Sequence, residues 1–202
     1  MNSRDLPPLY GLVLIGGKSS RMQKDKWSIN YHGKSQLEHC FDLLSQYCNK
    51  VFVSASLEQI AEKIIPSGFP YIQDALKDRG PMGGILSAMT EHSQVAWLAL
   101  ACDLPLIDHQ TIETLCSKRN PSKQATVFCG KDQKQLEPLC AIYEPLILKE
   151  LQQFAASEKF SLYEALIHTS IEMIELEEQT SLSNVNTTQE YKCASKKIKT
   201  LS

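Results

Sequence analysis

Val95-Ala96-Trp97-Leu98-Ala99-Leu100-Ala101-Cys102, followed at once by Asp103-Leu104-Pro105, is the stretch that decides the fold. Its eight consecutive apolar residues leave neither face of a strand for water. Such a strand belongs in a parallel sheet covered by helices on both sides. Gly11-Leu12-Val13-Leu14-Ile15 is a second short apolar run, ending in Gly16-Gly17, and it reads as a buried strand entering a turn. Val51–Ser54, Tyr71–Gln73, Ala125–Cys129, Leu139–Tyr143 and Ile171–Leu176 are further strand candidates.

Helical signals fall between these strands. Ser35 and Glu38 have capping-box spacing ahead of Leu37, Phe41, Leu44 and Cys48, which predicts a helix to about Cys48. Leu57–Ile64 reads as a helix stopped before Pro66 and Gly68, and Asp74 to Gly84 as a loop before a helix over Gly84–Glu91. Asp108 caps a helix bearing Ile112, Leu115 and Cys116. Pro145–Ala156 has helical spacing, and capping boxes at Ser161 and Thr187 open two more helices, the last fraying over Lys196–Lys199. Alternating strands and helices predict an α/β fold: a three-layer, open, mostly parallel sheet with helices on both faces, in one domain over 1–202 with a polar tail from about 192. In open α/β sheets ligands bind beyond the carboxyl ends of the strands, which selects residues 16–26, 74–84 and 102–105.

The 202 residues carry 21 Lys plus Arg and 23 Asp plus Glu, a formal net charge of −2. That balance speaks against a nucleic-acid binder, which needs a strongly basic face. The longest apolar run is far short of the ~20 residues of a membrane helix. The N-terminus has no long apolar segment of the secretory kind. The expectation is a cytoplasmic protein with no nucleic-acid or membrane partner. Seven cysteines lack metal-ligand spacing and read as buried free thiols. His39, on the polar side of its helix, reads as a surface histidine.

Within 16–26, Gly16 and Gly17 allow close backbone approach, and Lys18, Arg21, Lys24 and Lys26 place four cations in nine residues. That composition suits a triphosphate clamp, and it equally suits a solvated basic turn. Neither common nucleotide fingerprint is present: G-x-G-x-x-G is missing, and a Walker pattern would need Gly where Leu12 stands. Asp103 offers a hard oxygen ligand for Mg²⁺ at the end of a rigid strand, or merely starts a turn. Gly80, Gly83 and Gly84 around Pro81 suit a tight turn against a base or ribose, with Asp74 as acceptor, or an ordinary surface connection. Asn186 either shapes a local turn or reaches a metal or substrate.

Jointly, Leu14–Met22 with Asp25-Lys26, Gly80-Pro81-Met82-Gly83-Gly84, Ala101–Pro105, Glu137-Pro138-Leu139 and Asn184–Thr187 resemble the molybdenum cofactor guanylyltransferases of the MobA type, in family order over about residues 10–191. The resemblance implies a nucleotidyltransferase that transfers GMP from GTP to the terminal phosphate of Mo-molybdopterin and releases pyrophosphate. Its partners are then GTP and Mo-molybdopterin, with cofactor-insertion proteins and molybdoenzyme apoproteins downstream. It implies backbone contacts to nucleotide from Leu14, Ile15 and Gly16, with Gly17, Lys18, Asp74 and Gly83 in the same site. Lys26 would bind phosphate, and Asp103 would bind both GTP and Mg²⁺. Arg21, Lys26 and Asp103 form the catalytic group, and Asn186 stands as a second metal ligand by analogy with sugar nucleotidyltransferases. Ser54 occupies the place of a nucleotide-contacting Asn of some relatives. Ile15 replaces a small Ala, which is expected to narrow the nucleotide pocket; Gln23 replaces a Gly and Ser35 a Pro. The competing readings are a cytidylyl- or sugar-phosphate nucleotidyltransferase, a catalytically lapsed GTP binder, and a P-loop NTPase disfavoured by Leu12.

Overall fold

The computed structural model describes residues 6–15, 26–131, 135–176, 179–185 and 188–201, the side chains of 179, 180, 188 and 199–201 excepted. Among them are strands β1 (Leu9–Leu14), β2 (Lys50–Ala55), β3 (Tyr71–Gln73), β4 (Ala96–Ala101), β5 (Ala125–Cys129), β6 (Leu136–Tyr143) and β7 (Ile171–Glu175). The helices are α1 (Gln36–Ser45), α2 (Leu57–Ala61), α3 (Gly80–Glu91), α4 (His109–Ser117), α5 (Leu148–Ala156), α6 (Leu162–Ile167) and α7 (Thr188–Leu201). The strands form one sheet in the order β3-β2-β1-β4-β6-β5-β7, in which β6 runs antiparallel to both neighbours and the other pairs are parallel.

Every residue of β4 is buried, as its sequence requires. Leu98 and Leu100 enter one apolar layer with Leu37 and Leu44 of α1 and Ile112 and Leu115 of α4. Trp97 and Ala99 enter the other, with Met82, Ile85 and Met89 of α3, Leu151 of α5 and Leu166 of α6. The two-residue period of a strand thus divides one apolar run between two helical layers. Full burial of each large side chain is worth about 1.5–3 kcal/mol. The expected α/β sheet with helices on both faces is the observed one. No helix among the described residues is long and apolar enough to cross a membrane.

Several boundaries differ from the sequence reading. α3 starts at Gly80, so Gly80–Gly83 form its first turn and not a loop. Pro81 supplies a preset helical φ at a position where its missing N–H costs nothing. α2 stops at Ala61, three residues before Ile64, with Lys63 at φ 53°. α7 continues through Lys196–Lys199 to Leu201, because Ala194 and Ile198, four apart, are buried on one face. The capping box at Ser35 is complete, whereas Thr187 lies outside the described residues.

Chain order moves outward from β1 to β2 and β3, then returns to β4 on the other side of β1. The carboxyl ends of β1 and β4 therefore flank a topological switch point, where open α/β sheets place their ligand crevice.

Candidate active site

At that switch point Leu14 pairs with Ala101, and the Cys102 amide donates to the Leu14 carbonyl at 3.2 Å. β4 ends there and the chain turns, presenting Asp103. The Lys26 ammonium donates to Asp103 Oδ2 at 3.2 Å, and each side chain is 19% exposed. Asp103 Oδ1 is buried and has no hydrogen-bond partner among the described residues. The Val185 amide donates to the Asp103 carbonyl at 2.9 Å, which brings the chain just ahead of Asn186 to the same place.

Tyr31 and Glu137 are among the groups that feel the Asp103 charge. Tyr31, against Tyr191 of α7 with ring centroids 5.2 Å apart, has its phenol pushed up to about 12, mainly by burial, then by Tyr191 and Asp103. Glu137 at the start of β6 is raised by burial and by Asp103, against the opposing hydrogen bond to its carboxylate from the Leu139 amide. Glu137 also borders a cavity of about 540 Å³ with Cys129, Leu136, Tyr163 and Leu182. The sequence singles out Glu137 within a motif but gives it no role, and nothing local marks Tyr31.

A second cluster lies at the ends of β2 and β3. Asp74 Oδ1 accepts from the Leu76 amide at 2.8 Å and from Ser87 Oγ at 3.4 Å, and burial raises its carboxyl. A methyl group on Gly83 would stand 3.0 Å from both Asp74 oxygens, and one on Gly84 would collide with Ser54 Oγ. The glycines thus serve close packing of the α3 first turn against Asp74 and Ser54.

Of the expected site residues, Leu14, Lys26, Asp74, Gly83 and Asp103 line the carboxyl edge of the sheet in these two clusters. Gly16, Gly17, Lys18, Arg21 and Asn186 lie outside the described residues. Two expectations are corrected. Ile15 is buried in the apolar layer of Leu37 and Leu104, so its side chain fills core volume instead of narrowing a nucleotide pocket. His39 is no surface histidine: its ring stacks on His32 at 3.8 Å and 13°, and burial, then His32, push it down to about 4. Cys40, Cys102, Cys129 and Cys140 are buried as expected, whereas Cys193 is exposed.

One Asp oxygen is therefore neutralised by a lysine, while the other is desolvated with no donor among the described residues. A buried carboxylate oxygen left so is costly unless a cation or donor completes it. Magnesium commonly takes one or two protein carboxylates and leaves its other positions to water and substrate phosphate oxygens. Asp103 Oδ1 fits that need.

Comparison with known proteins gives consistent relatives. The family model described as "MobA-like NTP transferase domain" matches residues 11–170. The chain is 36% identical to a molybdenum cofactor biosynthesis bifunctional protein of Synechocystis sp., over 91% of this chain and 53% of that protein, so it spans about half that relative's length. It is 30% identical to a protein of Flavobacterium johnsoniae named "Probable molybdenum cofactor guanylyltransferase", over 90% of this chain and 94% of that one. Its fold matches the crystal structure of molybdopterin-guanine dinucleotide biosynthesis protein A from Archaeoglobus fulgidus with a TM-score of 0.79 at 22% identity, covering 95% of this chain and 99% of that one.

Proposed function

The chain belongs to the MobA-like NTP transferase family, and from that premise we propose that it transfers GMP from GTP to the terminal phosphate of Mo-molybdopterin. The observation that carries the reading is the Lys26–Asp103 pair at the switch point, with one Asp103 oxygen bonded to the lysine and the other buried with no partner among the described residues. A terminal phosphate oxygen of the acceptor attacks the α-phosphorus of GTP in line. The new P–O bond forms as the bond to the bridging α,β-oxygen breaks, and the electron pair leaves with pyrophosphate.

Both reactants are anions, so charge compensation and alignment are the main demands on the protein. Lys26 offsets phosphate charge, with Lys18 and Arg21 of the glycine-rich segment assigned the same task. Asp103, with Asn186 as second candidate, holds Mg²⁺, which when bound supplies Lewis acidity at the phosphate oxygens. Leu14, Ile15, Gly16 and Gly17 offer backbone to the nucleotide. Asp74 and Gly83 serve its nucleoside end, and the cavity bordered by Glu137 serves the acceptor.

The test supplies the purified protein with each of the four NTPs, Mg²⁺ and metal-loaded molybdopterin, and follows pyrophosphate and dinucleotide. Product with GTP alone is expected. Product with CTP alone would make the protein a cytidylyltransferase, and GTP binding without product would make it a lapsed binder.

A further inference from the structure

The chain that carries Lys26 does more than deliver one ammonium to Asp103. Between residues 26 and 39 it grips the whole turn that follows β4. Lys26 bonds the Asp103 carboxylate, Gln36 Nε2 donates to the Leu104 carbonyl at 3.3 Å, His32 Nε2 lies 2.9 Å from the Pro105 carbonyl, and His39 Nε2 lies 3.4 Å from the Ile107 carbonyl. A carbonyl oxygen accepts only, so both Nε2 atoms carry the proton and donate. Gln36 is fully buried, and its backbone is anchored at the helix start: the Gln36 backbone N–H donates to the Ile29 carbonyl at 2.8 Å, beside the Ser35 cap.

We propose that the stacked His32–His39 pair is a positioning device for the reaction centre, holding the turn that aims Asp103 at Lys26. The inference rests on the transferase reading for its catalytic consequence. Neither ring touches the substrate in this assignment; both act through the backbone of residues 105–107. The stack is stable with two neutral rings, since a positive charge on one faces the other at 3.8 Å in a partly desolvated place. The charged and titratable groups around it are Lys34, which disfavours protonation of both rings, and Asp42, which favours it at His39 while bonded to Lys34 at 2.6 Å. Tyr31 lies against His32, and Tyr191 of α7 lies against Tyr31. Acid should therefore loosen the turn through the imidazoles.

The test compares the wild type with the double variant His32→Ala/His39→Ala and with His32→Gln and His39→Gln, whose amides donate but do not titrate in this range. The double alanine variant is expected to lose roughly tenfold in kcat at saturating GTP and Mg²⁺. The glutamine variants are expected to recover most of kcat at pH 7.5 and to lose part of the acid limb of the wild-type profile. Hydrogen exchange at the Val185 amide reads the Asp103 turn without turnover: it should quicken about tenfold in the alanine variant, with β4 amides unchanged. Unchanged exchange together with wild-type kcat would overturn the positioning role and leave the transferase reading intact. Faster exchange in a protein whose wild type makes no product with any NTP would overturn the transferase reading and leave the positioning role. If the double variant does not fold, the two glutamine variants decide, and an acid limb identical to wild type in both overturns the proposal.

Discussion

Asp103 gives one oxygen to a lysine and holds the other buried with no partner among the described residues, which makes it sensitive to loss of charge. Asp103→Asn keeps the shape and removes the charge that would hold a cation. Turnover should fall about a hundredfold or more, measured as pyrophosphate release at saturating GTP; near-normal turnover would remove Asp103 from the chemistry. Gly84 is sensitive for a steric reason. Gly84→Ala drives a methyl group into Ser54 Oγ and should destabilise by about 1–3 kcal/mol in urea unfolding. The same change in a Ser54→Ala background should cost less, because the colliding oxygen is gone. Equal costs in the two backgrounds would show that the strain lies elsewhere.

Among the elements, α1 does two jobs at once. One face buries Leu37, Cys40, Leu43 and Leu44 against the sheet, and its first turn carries Gln36 and His39 to the Asp103 turn. Its cap is reciprocal: Ser35 Oγ accepts from the Glu38 amide at 3.2 Å, and Glu38 accepts from the Ser35 amide at 2.8 Å. Ser35→Ala should cost about 1 kcal/mol in chemical denaturation. α1 also makes stability depend on pH. The His39 pKa of about 4 in the fold lies below the ordinary 6.5, so folding favours the neutral ring. Its stabilising contribution is complete above about pH 6.5 and is lost as pH falls from there through about 4. The wild-type melting temperature should fall across that window more steeply than that of His39→Gln; parallel curves would contradict the half-buried neutral ring.

On the scale of the whole molecule, one buried ion pair ties the amino-terminal approach to the far end of the sheet. Arg119, just after α4, donates to Glu144 from Nε at 2.6 Å and from a terminal nitrogen at 2.9 Å, and the same group reaches the Pro7 carbonyl at 2.9 Å. Glu144 is wholly buried, directly after β6. Arg119→Ala would strand that carboxylate and should cost about 3–5 kcal/mol. For a chain of this size that is roughly 6–20 °C in Tm, read by scanning calorimetry. The pair lies at the opposite edge of the sheet from Asp103, so KM for GTP in the folded variant should stay near that of the wild type.

Local patterns made much of this architecture legible. The apolar run of β4, the Ser35 box and the Asp108 cap all depend on residues within a few positions of one another, and each appears where its spacing puts it. At the candidate site the chain marks Lys26 and the strand-end Asp103 separately, each with its own local reading. The α3 start was misread because Gly-Pro-x-Gly-Gly has turn composition; its glycines answer to Asp74 and Ser54, which approach from β3 and β2. What the tertiary structure alone decided is which groups meet. Lys26 and Asp103 are 77 positions apart, and His32 and Pro105 are 73 apart. Helix and strand periods impose order over a few residues, whereas contacts at such separations arise when sheet closure and core packing fold distant segments together, and they leave no repeat in the chain.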